Sequence, residues 1–426
     1  MGRRLYSGLF YALSPLVWKR VWREQLPGRS RAERLGRIPD HRGQRVLWVH
    51  AASVGEVVTA APVIRALIDD NPEHRVVVTT MTATGAERVA ALFGSEVSHY
   101  FIALDFPAAT RRMVRLLDPE LLVIVETELW PNLIHAAADH HVPIALINAR
   151  ITERGFKRYQ RFKRLVGDML IRINWAAVKS GEDGKRFRAL GLPVKRITVA
   201  GALKFDLEVD DAARALGEAL RERIGQRPVW IAASTHDGEE RAALEAHARL
   251  RSRYPEALLI LVPRHPQRFD AVAGLCIDQL GAQAVARRSH DDAILAATQV
   301  YLGDTMGELM GLYACAEVAF VGGTLVPIGG HNLLEPAALG VAVLSGPQLA
   351  NLSEIADALA RANARIEIDD AASLGDTLVE LFDDPARRRR LGAAARGVVE
   401  ANRGAKKLIR DHLLAMIPLE PRERRR

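Results

Sequence analysis

The 426-residue sequence contains only two cysteines, Cys276 and Cys315. These two cysteines fit the pattern of neither a metal site nor a disulfide framework, so we expect a reducing compartment and buried thiols. The sequence also has no Walker lysine motif and no G-x-G-x-x-G spacing, which excludes a P-loop and a dinucleotide-binding fingerprint. Because no Asp-x-Asp motif is present either, we expect no metal and no other cofactor.

The segment LYSGLFYALSPLVW, at 5–18, is apolar and aromatic but shorter than the roughly 20 residues that cross a bilayer. Pro15 weakens a continuous helix, and no small-residue cleavage site follows the segment. Basic residues flank it on both sides: Arg3, Arg4, Lys19, Arg20 and Arg23. This pattern is typical of an interfacial anchor on an anionic membrane, so residues 1–22 are predicted to be a membrane-associating segment.

The net charge of +8 is unevenly distributed. Residues 1–45 hold eleven Lys or Arg against three acids, and residues 150–172 hold eight against two. Such clusters indicate an anionic partner: phospholipid headgroups, a phosphorylated substrate or nucleic acid. Nucleic acid is the weakest of the three, because binding it requires no apolar anchor. The alternative is that both clusters are solvated helix faces.

Apolar runs alternate with helical patterns from residue 45 onward, which predicts an α/β fold with parallel sheets covered on both faces. The alternation pauses near residue 206 and then restarts. We therefore expect two doubly wound, Rossmann-like domains, at 23–206 and 207–426, that bind ligands in a central cleft at their carboxyl strand edges. The last residues, PLEPRERRR, are predicted to be disordered.

The most specific element is VAFVGGTLVPIGGHNLLEPAALG, at 318–340. A buried strand ends in glycines, and Gly329, Gly330, His331 and Asn332 are predicted to open a helix whose N–H groups attract a phosphate. Glu335, one turn later, is a candidate partner for ribose hydroxyls. The alternative is an ordinary glycine turn followed by a capped helix.

Other loops that follow predicted strands of the second domain also carry polar residues that could contact a nucleotide. The candidates for binding a nucleotide there are Ser234, Thr235, Arg264, His265, Gly307 and Glu308. An arginine at a strand end can pair with a phosphate, whereas the alternative for Arg264 is a surface ion pair.

Glu56 follows the strand 45–51, where a helix begins. A negative side chain favours a helix N-terminus, so Glu56 is either a helix-starting acid or a catalytic base at a sheet edge. Glu126 and Glu128 follow another strand, and both are expected near the cleft. The alternative is that one of them only caps the helix start at Trp130 and Pro131.

Several stretches, taken together and in order, resemble the Kdo (3-deoxy-D-manno-octulosonic acid) transferases of Gram-negative lipopolysaccharide synthesis. They are HAASVGE, TTMTATG, VETELWPNL, NAR, LKFD, AASTHDGEE, PRHPQRF, GDTMGELMGLY and GGTLVPIGGHNLLEPAALG. The resemblance runs from about residue 1 to 415. Lys179 and Ala202 depart from it, where Gln and Asn or Ser are usual.

This resemblance implies a GT-B fold and a location at the cytoplasmic face of the inner membrane. It implies CMP-Kdo as donor, a phosphorylated lipid A precursor (lipid IVA) as acceptor, and Glu56 as the base of an inverting transfer. The alternatives are another GT-B nucleotide-sugar enzyme, such as an epimerase or a different sugar transferase, and a non-enzymatic membrane-binding module.

Overall fold

A computed structural model describes residues 2–21, 24, 26–207, 209–350 and 352–420. Two units are present: the first comprises residues 1–206 and 403–426, and the second comprises 207–402. The predicted tail residues 421–426 and the flanking Arg23 lie outside the described residues.

The first unit contains one seven-stranded parallel sheet. Its strands are β1 (Arg45–His50), β2 (His74–Thr80), β3 (Ser98–Phe101), β4 (Leu121–Val125), β5 (Ile144–Ala149), β6 (Trp175–Val178) and β7 (Ile197–Val199). Their order is β3-β2-β1-β4-β5-β6-β7. The central strands β1, β4 and β5 are buried at nearly every position, because helices cover both faces of the sheet, whereas the edge strands β3 and β7 are only partly buried.

The helices of this unit follow the strands. They are α1 (Arg3–Ala12), α2 (Ser14–Val21), α3 (Val54–Asp70), α4 (Ala83–Phe93), α5 (Pro107–Leu117), α6 (Pro131–Asp139), α7 (Glu153–Arg161), α8 (Lys163–Leu170) and α9 (Gly181–Leu190). The basic segment 153–170 forms two helices rather than one, and the chain changes direction between them at Phe162. The reason is packing, since α8 buries Leu165 and Met169 in the core whereas α7 buries no residue.

The apolar N-terminal segment forms two short helices. The chain breaks at Leu13, between α1 and α2, and Pro15 occupies the second position of α2. Leu5, Leu9 and Leu16 are exposed by 64%, 50% and 66%. No helix among the described residues is long and apolar enough to span a membrane.

The second unit contains another seven-stranded parallel sheet, in the order β10-β11-β9-β8-β12-β13-β14. Its strands are β8 (Val229–Thr235), β9 (Leu258–Pro263), β10 (Val285–Arg287), β11 (Val300–Leu302), β12 (Val318–Val321), β13 (Ala342–Ser345) and β14 (Arg365–Glu367). Its helices are α10 (Asp211–Ile224), α11 (Glu239–Arg253), α12 (Phe269–Leu280), α13 (Leu309–Ala314), α14 (Leu334–Ala338), α15 (Ser353–Arg361), α16 (Ala371–Asp383) and α17 (Pro385–Asn402). Cys276 and Cys315 are both free and buried here, as predicted.

The last helix, α18 (Ala405–Met416), belongs to the first unit. The prediction that assigned all of 207–426 to one domain is therefore wrong for residues 403–426. Ile409 and Leu413 enter the core of the first unit, and Arg410 pairs with Asp70 of α3, with Nη2 and Oδ1 2.6 Å apart. The sequence does not show that α18 packs against the first unit, because its amphipathic pattern predicts a buried face but not the element that covers it.

Candidate functional site

The order of the first sheet reverses between β1 and β4, which are neighbours. At such a switch point the connections leave in opposite directions, and ligands bind in the resulting crevice beyond the carboxyl ends of the strands. Glu56 follows β1, and Glu126 and Glu128 follow β4. The topology therefore brings the three carboxylates predicted near the first-domain site to one edge of the sheet.

Glu56 is held by the turn that precedes its own helix. Ser53 caps α3, and its hydroxyl donates to Glu56 Oε1 at 3.0 Å. The backbone N–H of Ala52 donates to Glu56 Oε2 at 2.7 Å. Glu56 therefore does stabilise the start of its helix. These two hydrogen bonds leave further lone pairs of the carboxylate oxygens able to accept a proton or another hydrogen bond.

The electrostatics of Glu56 differ from those of a simple first-turn acid, which a helix N-terminus keeps ionised. Burial raises the pKa of Glu56 to about 7, and the charges of Glu128 and Glu126 raise it further by smaller amounts. The hydrogen bonds from Ala52 and Ser53 act in the opposite direction and lower this pKa. A carboxylate poised near neutrality beside a cavity is suited to general-base catalysis.

Glu128 contacts the side chain of Trp130 rather than capping the helix that begins at Pro131, whose N-cap has no side-chain hydrogen bond. Its Oε2 accepts a hydrogen bond from Trp130 Nε1 at 2.7 Å, and Trp130 lies edge-on to His50 at 5.9 Å between ring centroids. Burial lowers the pKa of His50 to about 4, so this imidazole is neutral. Glu126 has a positive φ of 59°, an uncommon conformation for a residue other than glycine.

An apolar groove of about 700 Å³ opens at Glu56. Besides Glu56 it is lined by Met81 and Trp130 of the sheet edge and by Phe10 and Val17 of the N-terminal helices. The segment predicted as a membrane anchor therefore also forms a wall of this cavity. A mostly apolar cleft with a few convergent polar groups is typical of a ligand site.

Asp105 and Tyr6 hold the N-terminal helix against the groove, and the sequence analysis missed both. Asp105 accepts from the backbone N–H groups of Asn132 (3.0 Å) and Leu133 (2.8 Å), and it is hydrogen-bonded to the hydroxyl of Tyr6. Burial raises the pKa of Asp105 to about 7 and also raises that of Tyr6. The only available signal was an aspartate at a strand end, because Tyr6 is hidden in an apolar run.

The second sheet reverses its order between β8 and β12. Ser234, at the end of β8, is buried and has a φ of 57°. The backbone of Gly322 passes so close that an added Cβ would lie 2.5 Å from the Ser234 carbonyl oxygen. Only glycine fits there, which explains the Gly322–Gly323 pair after the strand.

Glu239, in the first turn of α11, organises this turn. Its buried carboxylate accepts four backbone N–H groups at 2.7–3.1 Å. The donors are His236, Gly323, Thr324 and Leu325. These four N–H groups are consequently unavailable to a phosphate in this structure.

The prediction that residues 329–332 open a helix is wrong. The helix α14 begins only at Leu334 and has five residues. The glycines turn the chain instead: Gly329 and Gly330 have φ values of 97° and 86°, and the N–H groups of Gly330 and His331 donate to carbonyl oxygens of Gly323 and Gly322. Two of the expected phosphate donors are therefore satisfied within the loop.

Three histidines meet beside this loop. Nε2 of His236 and Nε2 of His331 are 2.8 Å apart with parallel rings, and His265 packs edge-on against His236 at 5.3 Å. Burial lowers the pKa of His331 to about 4 and also lowers the pKa of His236. The rings of His331 and His236 are therefore neutral donors or acceptors rather than cations at pH 7.

Arg264 supplies a cation to the same region. It is exposed and forms no ion pair with any described residue, while its backbone N–H donates to the Thr235 carbonyl oxygen at 3.0 Å. Its charge acts on His331 and Glu335. Asn332 Nδ2 donates to Glu335 Oε1 at 3.1 Å, and burial raises the pKa of Glu335.

The remaining candidates bond to protein groups. The Thr235 hydroxyl donates to buried Glu240 at 3.0 Å. Glu308 accepts from Arg288 at 2.8 and 3.0 Å, and Gly307 turns the chain before it with a φ of 87°. Within the described ranges, no group of three or more His, Cys, Asp or Glu residues has the arrangement to hold a metal ion.

Comparisons with known proteins decide the family. Residues 29–207 match the family model of 3-deoxy-D-manno-octulosonic-acid transferase (kdotransferase). The 3-deoxy-D-manno-octulosonic acid transferase of Haemophilus influenzae is 41% identical over 369 residues, 86% of each chain. That of Bordetella pertussis is 34% identical over 97% of this chain and 99% of the relative. This chain belongs to the Kdo transferase family.

Solved structures show the fold. UDP-GlcNAc 2-epimerase from Neisseria meningitidis, bound to UDP-GlcNAc, has a TM-score of 0.54 at 16% identity and covers 87% of this chain and 100% of its own. A glycosyltransferase from Rickettsia africae has a TM-score of 0.51 at 11% identity, covering 88% and 98%. The C-terminal CMP-Kdo binding domain of WaaA from Acinetobacter baumannii is 38% identical, covers 45% of this chain and 100% of its own, and has a TM-score of 0.43.

The chain is accordingly a GT-B glycosyltransferase, and the family name identifies Kdo as its sugar and lipopolysaccharide biosynthesis as its context. Family membership favours the transferase over the epimerase and over a non-enzymatic membrane module.

Proposed function

We propose that this enzyme transfers Kdo from CMP-Kdo to a phosphorylated lipid A precursor, lipid IVA, at the cytoplasmic face of the inner membrane. The transfer inverts the anomeric carbon, and Glu56 is the general base. The observation that carries the proposal is the position of Glu56: it lies at the switch point of the first sheet and lines the same apolar groove as α1 and α2.

The chemistry requires one base. A hydroxyl oxygen of the acceptor attacks the anomeric carbon of Kdo while its proton moves to a carboxylate oxygen of Glu56. The bond between that carbon and the phosphate oxygen breaks, and CMP leaves with the electron pair. Direct displacement inverts the configuration at the carbon. No metal or other cofactor enters this scheme.

The acceptor is assigned to the first unit. Its acyl chains are apolar, and the groove beside Glu56 offers Phe10, Val17 and Met81 as apolar walls. The basic helix α7 has no buried residue, so its lysine and arginine side chains are free to meet lipid phosphates. Among the described residues, Lys157 pairs with exposed Glu153, and Arg158 packs on Tyr159. Both basic side chains are exposed.

The donor is assigned to the second unit. Arg264 is an exposed cation that can pair with the phosphate of CMP, and it stabilises the charge that grows as CMP leaves. The imidazole of His265 and the neutral imidazole of His331 offer further polar contacts. Glu335 is the candidate acceptor for ribose hydroxyls.

Membrane attachment is assigned to α1 and α2. Leu5, Leu9 and Leu16 are exposed next to basic residues, a pattern that suits insertion into the interfacial region of an anionic bilayer.

The test is a transfer assay with purified enzyme, lipid IVA and a panel of donors, namely CMP-Kdo, CMP-sialic acid and UDP-GlcNAc. The proposal expects a product whose mass exceeds that of the acceptor by one or more Kdo residues, with CMP-Kdo alone. Epimerised or hydrolysed donor without lipid product, or transfer from UDP-GlcNAc, would contradict it.

A further inference from the structure

The helix α1 has a second face that lines a pocket separate from the apolar groove. Tyr6 and Phe10 line the groove, whereas Arg3, Arg4 and Gly8 line a separate pocket of about 320 Å³. This volume lies within the range of small-molecule sites, about 300–1,000 Å³. The base and the nucleotide candidates described above do not line this pocket.

The charge of the pocket is strongly positive. Arg111, from α5, lines it together with the two arginines of α1. Arg4 and Arg111 form no ion pair with any described residue, and the one acid in the lining, Asp139, is 63% exposed and lies 3.9 Å from Arg3. Three guanidinium groups whose positive charge is balanced by so few acidic side chains favour the binding of an anion. Their planar N–H donors match the oxygens of a phosphate.

The walls of the pocket are fixed before any ligand binds. The hydroxyl of Ser7 donates to Asn132 Oδ1 at 3.2 Å, and the side-chain N–H of Asn132 donates to the Asp105 carbonyl oxygen at 2.6 Å. These bonds fasten α1 to α6. A side chain on Gly8 would meet no protein atom within 4 Å, so the missing side chain leaves open volume.

The neighbouring surface indicates the source of the anion. Leu5 and Leu9 are exposed on α1 beside the pocket, where they can contact acyl chains. A free phosphate would gain nothing from these leucines, whereas a phospholipid would place its headgroup phosphate among the arginines and its chains along them.

We propose that Arg3, Arg4 and Arg111 form a specific binding site for the headgroup phosphate of an anionic bilayer phospholipid. The site adds a lipid-selective contact to the membrane attachment assigned above to α1, and it rests on that assignment. It is separate from the acceptor groove.

The test measures binding of dihexanoylphosphatidylglycerol, below its critical micelle concentration, to the full-length protein in non-ionic detergent at fixed ionic strength. Three variants are compared. Arg111→Gln removes a pocket charge, and Gly8→Leu fills the pocket while keeping every charge. Arg115→Gln is the matched control, because Arg115 is exposed one turn further along α5 and does not line the pocket.

The expected result is saturable binding whose dissociation constant rises at least tenfold in Arg111→Gln and Gly8→Leu and stays unchanged in Arg115→Gln. Weaker binding of dihexanoylphosphatidylcholine to the wild type is also expected. Equal loss in Arg111→Gln and Arg115→Gln would show general surface charge and overturn the site. Inorganic phosphate binding as tightly as the lipid would overturn the lipid assignment.

A second measurement separates this site from the acceptor site. In phospholipid-free detergent, Arg111→Gln should leave the KM for lipid IVA unchanged. A raised KM would mean that the pocket holds a phosphate of the acceptor, which overturns the proposal. The binding test uses neither transfer nor a bilayer, so its failure leaves the assignments of Glu56 and of membrane attachment intact.

Discussion

The backbone N–H of Ala52 lies 2.7 Å from Oε2 of Glu56, at the junction where β1 ends and α3 begins. This bond and the one from Ser53 orient the carboxylate, while burial pushes its pKa up to about 7. A single residue thus starts a helix and remains available to take a proton near neutral pH.

The activity should follow the ionisation of Glu56. Because a base must be deprotonated and the pKa of Glu56 is about 7, kcat/KM should fall as the pH decreases below about 7. Ser53→Ala removes a hydrogen bond that favours the charged form, so the acidic limb should move to higher pH. Glu128→Gln removes a repelling charge and should move it to lower pH. Identical profiles in all three enzymes would contradict the assignment.

Stability should change in the opposite direction to activity. The folded-state pKa of Glu56 is raised, so its stabilising contribution is present below pH 4.5 and is lost as the pH rises through about 7. Glu56→Gln should therefore stabilise the first unit at pH 8, by on the order of 1–3 kcal/mol, and much less at pH 5. Calorimetric melting at both pH values measures this, with exposed Glu87→Gln as the control. A loss of stability at pH 8 would favour a purely helix-starting role.

The ligands should divide between the two units. Glu335→Ala should weaken CMP binding by about 1–3 kcal/mol, because a partly buried charge hydrogen-bonded to Asn332 is removed. Replacing Lys157 and Arg158 together should weaken binding of the phosphorylated acceptor and spare CMP. Calorimetric titrations of both ligands against both variants measure this, and equal loss of CMP affinity in the two would refute the division.

Attachment to the membrane should depend on the first two helices. Deleting residues 1–22 should move the protein from the membrane to the soluble fraction without changing CMP affinity. High salt should release part of the full-length protein, because it screens the basic contribution. Sedimentation with anionic vesicles measures both effects. If the truncated protein still sediments, another surface is the anchor.

Much of the fold could be predicted from the sequence because its strands are buried on both faces. The run VAFV at 318–321 is apolar at every position, and it is the strand β12. The N-cap of α3 is equally local, since Ser53 and Glu56 are three residues apart. Such signals depend on spacing within a few residues, and the structure retains them.

Long-range partners could not be predicted in the same way. Glu239 accepts N–H groups from Gly323, Thr324 and Leu325, which lie more than eighty residues away along the chain. The glycines at 329–330 indicated a phosphate site, but the N–H groups of Gly330 and His331 already donate to backbone carbonyl oxygens. The hydrogen bond between Tyr6 and Asp105 could not be predicted either, because the two residues are about a hundred positions apart in the sequence.

The most direct test of the account is single-turnover transfer by Glu56→Gln with CMP-Kdo and lipid IVA, read as product mass over time. The account predicts unchanged CMP affinity and a rate lower than that of the wild type by on the order of 10²–10⁴. A folded Glu56→Gln enzyme that binds CMP and transfers Kdo at a near wild-type rate would contradict the assignment of Glu56 as the base.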